Sequence, residues 1–151
     1  MFNYLNNYIG ILNKNSLPSW ITFFVTNKCN LSCKHCFYSE NLNKNISELS
    51  LEEIKRISLS LNKVHKLFLS GGEPFLRADL KEICEIFYNQ NMTRLIYIPT
   101  NGLLIDKMSK DIKHISKTCS DAKLTITFSL EGTEEINDRI RGNGTFNTVM
   151  Q

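Results

Sequence analysis

Short apolar segments alternate with amphipathic segments along most of the chain. Four of the apolar segments are rich in β-branched or aromatic residues and are bounded by polar or turn-forming residues, as β-strands are. We expect these strands at residues 20–26, 66–70, 94–99 and 124–130.

Apolar residues at helical spacing lie between the predicted strands. Ser50-Leu51-Glu52-Glu53 predicts a capping box at the start of the first helix. Asp79 gives a second start signal of the same kind. The third helix is looser, and a fourth is predicted to begin near Thr145. The apolar stripes of the first three are Leu51, Ile54 and Leu61; Leu80, Ile83, Cys84 and Phe87; and Leu104, Met108, Ile112 and Ile115.

Alternation of strands and helices at this spacing predicts βαβ units, a parallel sheet and the α/β class. A closed eight-stranded barrel needs about 250 residues, whereas this chain has 151. The pattern therefore fits either a small open α/β domain or the first half of a larger barrel.

The fourth predicted strand has one apolar and one polar face. Thr125, Thr127, Ser129 and Glu131 share the polar face. In a parallel sheet both faces are normally covered and apolar. A polar face indicates a wet lumen or a site, and an exposed edge strand is the alternative.

Composition and charge argue against several classes of protein. The chain is 42% hydrophobic and 22% charged, as soluble globular domains are. A net charge of +3 is too small and too scattered to indicate nucleic acid or an anionic membrane as a partner. No apolar stretch approaches the ~20 residues of a membrane-spanning helix.

Residues 1–19 are interpreted as a lead segment that is not a secretory signal. Helical spacing of Leu5, Tyr8, Ile9 and Leu12 predicts a short docking helix there. The five cysteines are an odd number, which favours a reducing, cytoplasmic location and metal or redox use over disulfides.

Three cysteines follow the first predicted strand within one short segment. Cys29, Cys33 and Cys36 can turn three thiolates toward one point, as iron–sulfur ligands do. Three ligands leave one iron open to chelate a substrate or a second cofactor. Cys84 and Cys119 are interpreted as core residues.

A zinc site with His35 as its fourth ligand is the competing interpretation. Structural zinc usually takes two separated ligand pairs, whereas His35 lies between two cysteines that are only three residues apart. This spacing is awkward for tetrahedral closure.

Turn-forming motifs follow the other predicted strands. Gly71-Gly72-Glu73-Pro74 lets a backbone approach a ligand closely and offers a carboxylate that accepts from an ammonium group. Thr100-Asn101-Gly102 is a turn signal after the third strand, and Ser129-Leu130-Glu131-Gly132 ends the fourth. Each motif alone is an ordinary turn.

In this order, the motifs resemble those of the radical S-adenosylmethionine (radical SAM) enzymes, from about Trp20 to Gln151. The resemblance implies a partial TIM-like (β/α) barrel, here truncated after the fourth strand. It implies a [4Fe–4S] cluster on Cys29, Cys33 and Cys36, whose open iron takes S-adenosylmethionine (SAM). One electron from the cluster would then cleave SAM to a 5′-deoxyadenosyl radical that abstracts hydrogen from a substrate.

The resemblance also implies which residues contact SAM. They are Gly71, Gly72 and Glu73 at the methionine amino group, Ser129 and Glu131 after the fourth strand, where the family often has Asp in place of Glu131, Arg141 at the carboxylate, and Phe37. A solvated loop arginine is the alternative interpretation of Arg141. The resemblance assigns no catalytic side chain, because the cofactors supply the chemistry.

Residues 20–151 are thus expected to form the first four β/α units of a radical SAM core domain. The motifs look most like members with a SPASM domain that modify peptides or proteins, and an external one-electron reductant is the expected partner. Two alternatives are a non-catalytic cluster-binding or partner-binding remnant and a zinc-binding module.

Overall fold

Four strands pair in parallel, each with the strand that follows it along the chain. The computed structural model describes residues 18–151. The strands form one sheet in the order β1-β2-β3-β4, as the strand–helix alternation predicts. They are β1 (Trp20–Thr26), β2 (Lys66–Gly71), β3 (Leu95–Thr100) and β4 (Lys123–Phe128).

Among the described residues, three helices connect the strands and pack against the sheet, and two more follow the last strand. The helices are α1 (Leu51–Ser60), α2 (Leu80–Asn91), α3 (Ile105–Thr118), α4 (Glu134–Arg141) and α5 (Thr145–Val149), with single 3₁₀ turns at Ser39–Asn41 and Pro74–Leu76. Within residues 18–151, every helix is too short or too polar to cross a bilayer.

The core lies between the sheet and the first three helices. Alternate residues of the central strands, Leu67 and Leu69 on β2 and Ile96 and Ile98 on β3, are fully buried, because successive side chains of a strand point to opposite faces. The apolar stripes predicted for the first three helices pack against these strand residues. Buried helix residues of this core are Ile54, Leu80, Ile83, Cys84, Phe87, Met108 and Ile115.

The start of α1 is the predicted capping box. The Ser50 hydroxyl accepts from the Glu53 backbone N–H, and the Glu53 carboxylate accepts from the Ser50 N–H at 2.8 Å. The second predicted start is confirmed in position, because α2 begins at Leu80 with Asp79 at its N-cap, but the expected cap hydrogen bond is not formed. The Asp79 side chain accepts instead from Nε of Arg77 at 2.6 Å.

Strand ends and one helix differ from the prediction. β4 begins at Lys123 and ends at Phe128, because Phe128 pairs with Thr100 at the end of β3. The sequence prediction contained no helix α4, because Glu134–Arg141 is short and carries only two apolar residues. The predicted helix through Leu5 and Leu12 lies outside the described residues.

Candidate functional site

The carboxyl ends of the strands surround one cavity of about 200 Å³. In parallel β/α folds this end of the sheet is where sites gather. The cavity is bounded by residues from the segments that follow all four strands. Its lining is Cys29, Leu31, Cys33, His35, Cys36, Phe37, Ser70, Gly71, Gly72, Glu73, Pro99, Thr100, Asn101, Ser129 and Arg141.

All but one of the predicted site residues therefore line the same cavity. The exception is Glu131, which reaches the site through Arg141. The three clustered cysteines are partly buried in the cavity wall, whereas Cys84 and Cys119 lie buried in the core, as predicted.

Side-chain amides hold the cysteine loop in place. The Asn43 amide clamps Cys29: its Oδ1 accepts from the Cys29 N–H at 3.0 Å, and its Nδ2 donates to the Cys29 carbonyl at 3.1 Å. Asn101 donates to Oδ1 of Asn30 at 2.7 Å and so ties the loop to the end of β3.

Sequence reasoning missed Asn43. Asn43 lies in the Asn-rich segment 41–45 and has φ +56°, a left-handed conformation in which Asn is enriched. Nothing in the sequence showed that its partner would be Cys29.

The Gly71-Gly72 pair brings the end of β2 against the cysteine loop. The Gly72 N–H donates to the Thr26 carbonyl at 2.9 Å, and the Glu73 N–H donates to the Lys28 carbonyl at 2.8 Å. A Cβ on Gly72 would lie 2.2 Å from the Lys28 oxygen. Only glycine permits this approach.

Glu73 is buried, with 1% of its surface exposed. Its carboxylate accepts from the Thr100 hydroxyl at 2.9 Å, the Asn101 N–H at 2.8 Å and the Phe75 N–H at 3.2 Å. Burial raises the pKa of Glu73, and these three hydrogen bonds oppose the rise. Glu73 thus joins the ends of β2 and β3, and its contact with an ammonium group stays a prediction.

Arg141 lies on the last turn of α4 and points at the cysteine loop. Its Nε and Nη2 donate to Oε1 of Glu131 at 3.1 and 2.5 Å, and its Nη1 lies 3.8 Å from Sγ of Cys33. Only 13% of the Arg141 side chain is exposed, so the interpretation of a solvated loop arginine is wrong.

Glu131 also faces the loop itself. Its Oε1 lies 3.4 Å from Nε2 of His35. The hydrogen bond from Arg141 holds the pKa of Glu131 below its usual range. This carboxylate therefore stays ionised at neutral pH and links α4 to the cysteine loop.

Phe37 and Ser129 lie at the rim and the far wall of the cavity. Phe37 is 84% exposed and contacts the rings of Phe24 and Tyr38, with ring centroids 6.3 Å away in each case. The Ser129 N–H donates to the Thr100 carbonyl at 3.0 Å. The roles predicted for Phe37 and Ser129 toward SAM stay predictions.

Burial opposes ionisation of two of the clustered thiols. Burial raises the pKa of Cys29 and of Cys33, while the Arg141 guanidinium opposes the rise at Cys33. Because metals bind thiolates, a metal centre held here would release protons on loading and would be favoured by higher pH.

The donor set of three cysteines in one cavity wall fits an iron–sulfur cluster. His35, the fourth ligand of the zinc alternative, faces Glu131. In a [4Fe–4S] cluster each cysteine binds a different iron, so the sulfurs stand apart around a shared space. Thiolates are the ligands that such clusters take.

The sequence model of the Radical SAM superfamily matches residues 23–151. This chain belongs to the radical SAM superfamily. Membership carries with it the cofactors of the superfamily, a [4Fe–4S] cluster and SAM.

Curated relatives agree with this membership. The chain is 33% identical over 135 residues to the Fe-coproporphyrin III synthase of Methanosarcina barkeri, covering 87% of this chain and 32% of that protein. It is 38% identical over 93 residues to a probable GTP 3′,8-cyclase of Methanocaldococcus jannaschii, covering 59% of this chain and 30% of that protein. The radical SAM chain thus spans about a third of the length of these relatives.

Solved radical SAM structures share the fold. The chain matches anSMEcpe with bound AdoMet and Cp18Cys peptide at a TM-score of 0.61 and 26% identity, covering 88% of this chain and 38% of that chain. It matches Streptococcus suis SuiB bound to S-adenosylmethionine at a TM-score of 0.63 and 20% identity, covering 95% and 33%. The partial TIM-like barrel expected from the sequence is confirmed.

Proposed function

We propose that Cys29, Cys33 and Cys36 bind a [4Fe–4S] cluster that binds SAM through its open iron. The observation that carries this proposal is the placement of the three thiols in the wall of one cavity at the carboxyl ends of the strands. Residues 20–151 then form the N-terminal part of a radical SAM core domain, and residues 1–19 form its lead segment.

The cofactors would supply the chemistry of the proposed reaction, which is one-electron reductive cleavage of SAM to methionine and a 5′-deoxyadenosyl radical for hydrogen abstraction from a substrate. The protein binds, orients and excludes water. Gly71, Gly72 and Glu73 would receive the methionine end of SAM, and Ser129 and Arg141 would face it from the end of β4. An external reductant would supply the electron.

Iron and sulfide content after anaerobic reconstitution tests the cluster. We expect the wild type to retain about four irons and four sulfides per chain, as a [4Fe–4S] cluster requires. The C29A, C33A and C36A variants should each lose most of both. C84A and C119A, which remove thiols from the core, are the matched controls and should load as the wild type does.

Three results would contradict the proposal. Retention of zinc without sulfide would favour a zinc-binding module. Equal loading of C33A and C84A would show that the clustered thiols are not the ligands. A cluster that forms in the wild type without any response to SAM would identify a non-catalytic remnant.

A more specific proposal is that the substrate is a peptide or protein. It is supported by the likeness to anSMEcpe, whose solved structure holds the Cp18Cys peptide together with AdoMet. Incubating the loaded chain with SAM, reductant and a deuterated form of that peptide tests it. Deuterium in the 5′-deoxyadenosine product supports a peptide substrate. Product formed without deuterium contradicts it and leaves the cluster proposal intact.

A further inference from the structure

We propose that Arg141 raises the reduction potential of the cluster by donating to the Cys33 sulfur, with Glu131 as the positioning residue that directs it there. This inference rests on the proposed function, because it concerns the same cluster. It gives Arg141 a task that does not depend on bound SAM.

The inference rests on the orientation of the Arg141 guanidinium. Glu131 accepts from both Nε and Nη2 of Arg141 through a single oxygen, Oε1. That pairing engages one edge of the planar fork. The remaining nitrogen, Nη1, faces Sγ of Cys33 at 3.8 Å, within reach of a hydrogen bond to sulfur.

The backbone fixes this distance. The Lys34 N–H, next to Cys33, donates to the carbonyl of Ile140 at 3.0 Å. Ile140 directly precedes Arg141, so the cysteine loop and the last turn of α4 are joined beside the side-chain contact. Glu131 adds a second link, because it faces His35 on the same loop at 3.4 Å.

Burial makes the charge effective. With 13% of its side chain exposed, the guanidinium acts through a medium less polar than water, in which charge interactions are several-fold stronger. Uptake of one electron makes the cluster more negative. A cation that donates to a ligand sulfur stabilises that reduced form, and hydrogen bonds to sulfur are among the determinants of cluster potential.

A redox titration of the SAM-free cluster tests the inference. The wild type, R141Q and R139Q are loaded with iron and sulfide, poised with dithionite and mediators, and measured by EPR. At a fixed potential we expect the ratio of reduced to oxidised cluster to be at least threefold lower in R141Q. Arg139 lies exposed on the same helix, so R139Q removes the same charge and should match the wild type.

The outcomes separate this inference from the proposed function. A wild type that assembles no cluster overturns the proposed function and this inference with it. A loaded R141Q that titrates as the wild type overturns the inference alone, even where its affinity for SAM falls. Should R141Q load poorly, R141K takes its place. A smaller fall in the same direction then supports the inference, and an unchanged ratio overturns it.

Discussion

At the scale of single residues, Gly72 is the point where two loops touch. A Cβ there would lie 2.2 Å from the Lys28 carbonyl oxygen and 3.2 Å from Cβ of Cys29. Backbone must shift to accommodate it, and that shift displaces a proposed cluster ligand. The geometry of the site therefore requires a residue without a side chain at position 72.

We expect Gly72→Ala to lower the free energy of unfolding by about 1–3 kcal/mol, the usual cost of overpacking, and to reduce the iron retained after reconstitution. Denaturant unfolding and iron analysis measure the two effects. Gly144→Ala is the control, because no atom lies within 4 Å of that added Cβ and only its positive φ opposes alanine. Full iron retention in the Gly72 variant would contradict the expected displacement of Cys29.

Glu73 is the second decisive residue, because its buried carboxylate receives three hydrogen bonds. Burial raises its pKa in the folded chain, whereas the pKa of a glutamate in an unfolded chain is about 4.3. Between these two values the folded chain holds more protons than the unfolded chain. Stability from this group is therefore fully present below about pH 4.3 and falls as pH rises through the folded pKa.

We expect the difference in free energy of unfolding between the wild type and Glu73→Gln to decrease as pH rises above about 4.3. Urea unfolding at a series of pH values measures it, and the subtraction cancels the titration of every other group. Glu40→Gln, at an exposed glutamate, is the matched control for the same substitution away from the buried network. A difference that stays constant or increases with pH would contradict the direction of the Glu73 shift.

At the scale of elements, Arg77 connects three segments beneath the site. It donates to the carbonyls of Val25 on β1 and Leu49 before α1, each at 2.6 Å, and to the Asp79 carboxylate at the start of α2. The side chain is only 5% exposed. Its planar fork reaches three acceptors at once, which an ammonium group cannot match.

Arg77→Lys should therefore lower the free energy of unfolding by about 1–3 kcal/mol, the cost of leaving a buried polar group without its partner. Thermal or denaturant unfolding measures it. Arg56→Lys makes the same exchange at an exposed position of α1 and should change stability by less than about 0.5 kcal/mol. Equal effects of the two substitutions would contradict the role of Arg77.

The elements also show what the sequence could predict. Apolar stripes such as Leu80, Ile83 and Phe87 identified their helix and its buried face, since helical periodicity is a local signal. The Ser50 capping box was predicted for the same reason. Asp79 holds the N-cap position of α2, but its side chain pairs with Arg77, two residues before it. Arg77 is itself held by the carbonyls of Val25 and Leu49, and these long-range contacts are not evident in the local sequence.

The candidate site was likewise predictable from the sequence only in part. The cysteine motif and the motifs after the later strands predicted which residues would meet, because parallel strands end at one edge of the sheet. The contact between Arg141 and Cys33 joins residues 108 positions apart. It depends on α4, a short and mostly polar helix that the sequence pattern did not predict.

At the scale of the whole molecule, the sheet described by residues 18–151 has two edges. β1 pairs only with β2, and β4 pairs only with β3. Large apolar side chains lie exposed at and near β4, among them Phe128 at 47% and Leu130 at 41%. An edge strand with exposed apolar residues is a template for pairing with another chain.

We therefore expect the chain to self-associate through β4 at high concentration. Thr127→Lys places a charge on that edge strand and should lower the associated fraction, as lysines do on natural edges. Sedimentation velocity measures it. Ser109→Lys adds the same charge at an exposed position of α3 and should leave association unchanged. A decrease of similar size in both variants would indicate a general effect of charge.

The EPR spectrum of the reconstituted and reduced chain, recorded with and without SAM, tests the proposed site most directly. It reports on the open iron, which is the feature that separates a radical SAM site from a closed cluster or a zinc site. We expect a [4Fe–4S]⁺ signal whose position and shape change when SAM is added. A reduced cluster whose spectrum is identical with and without SAM would contradict the proposal that this cavity binds the cofactor.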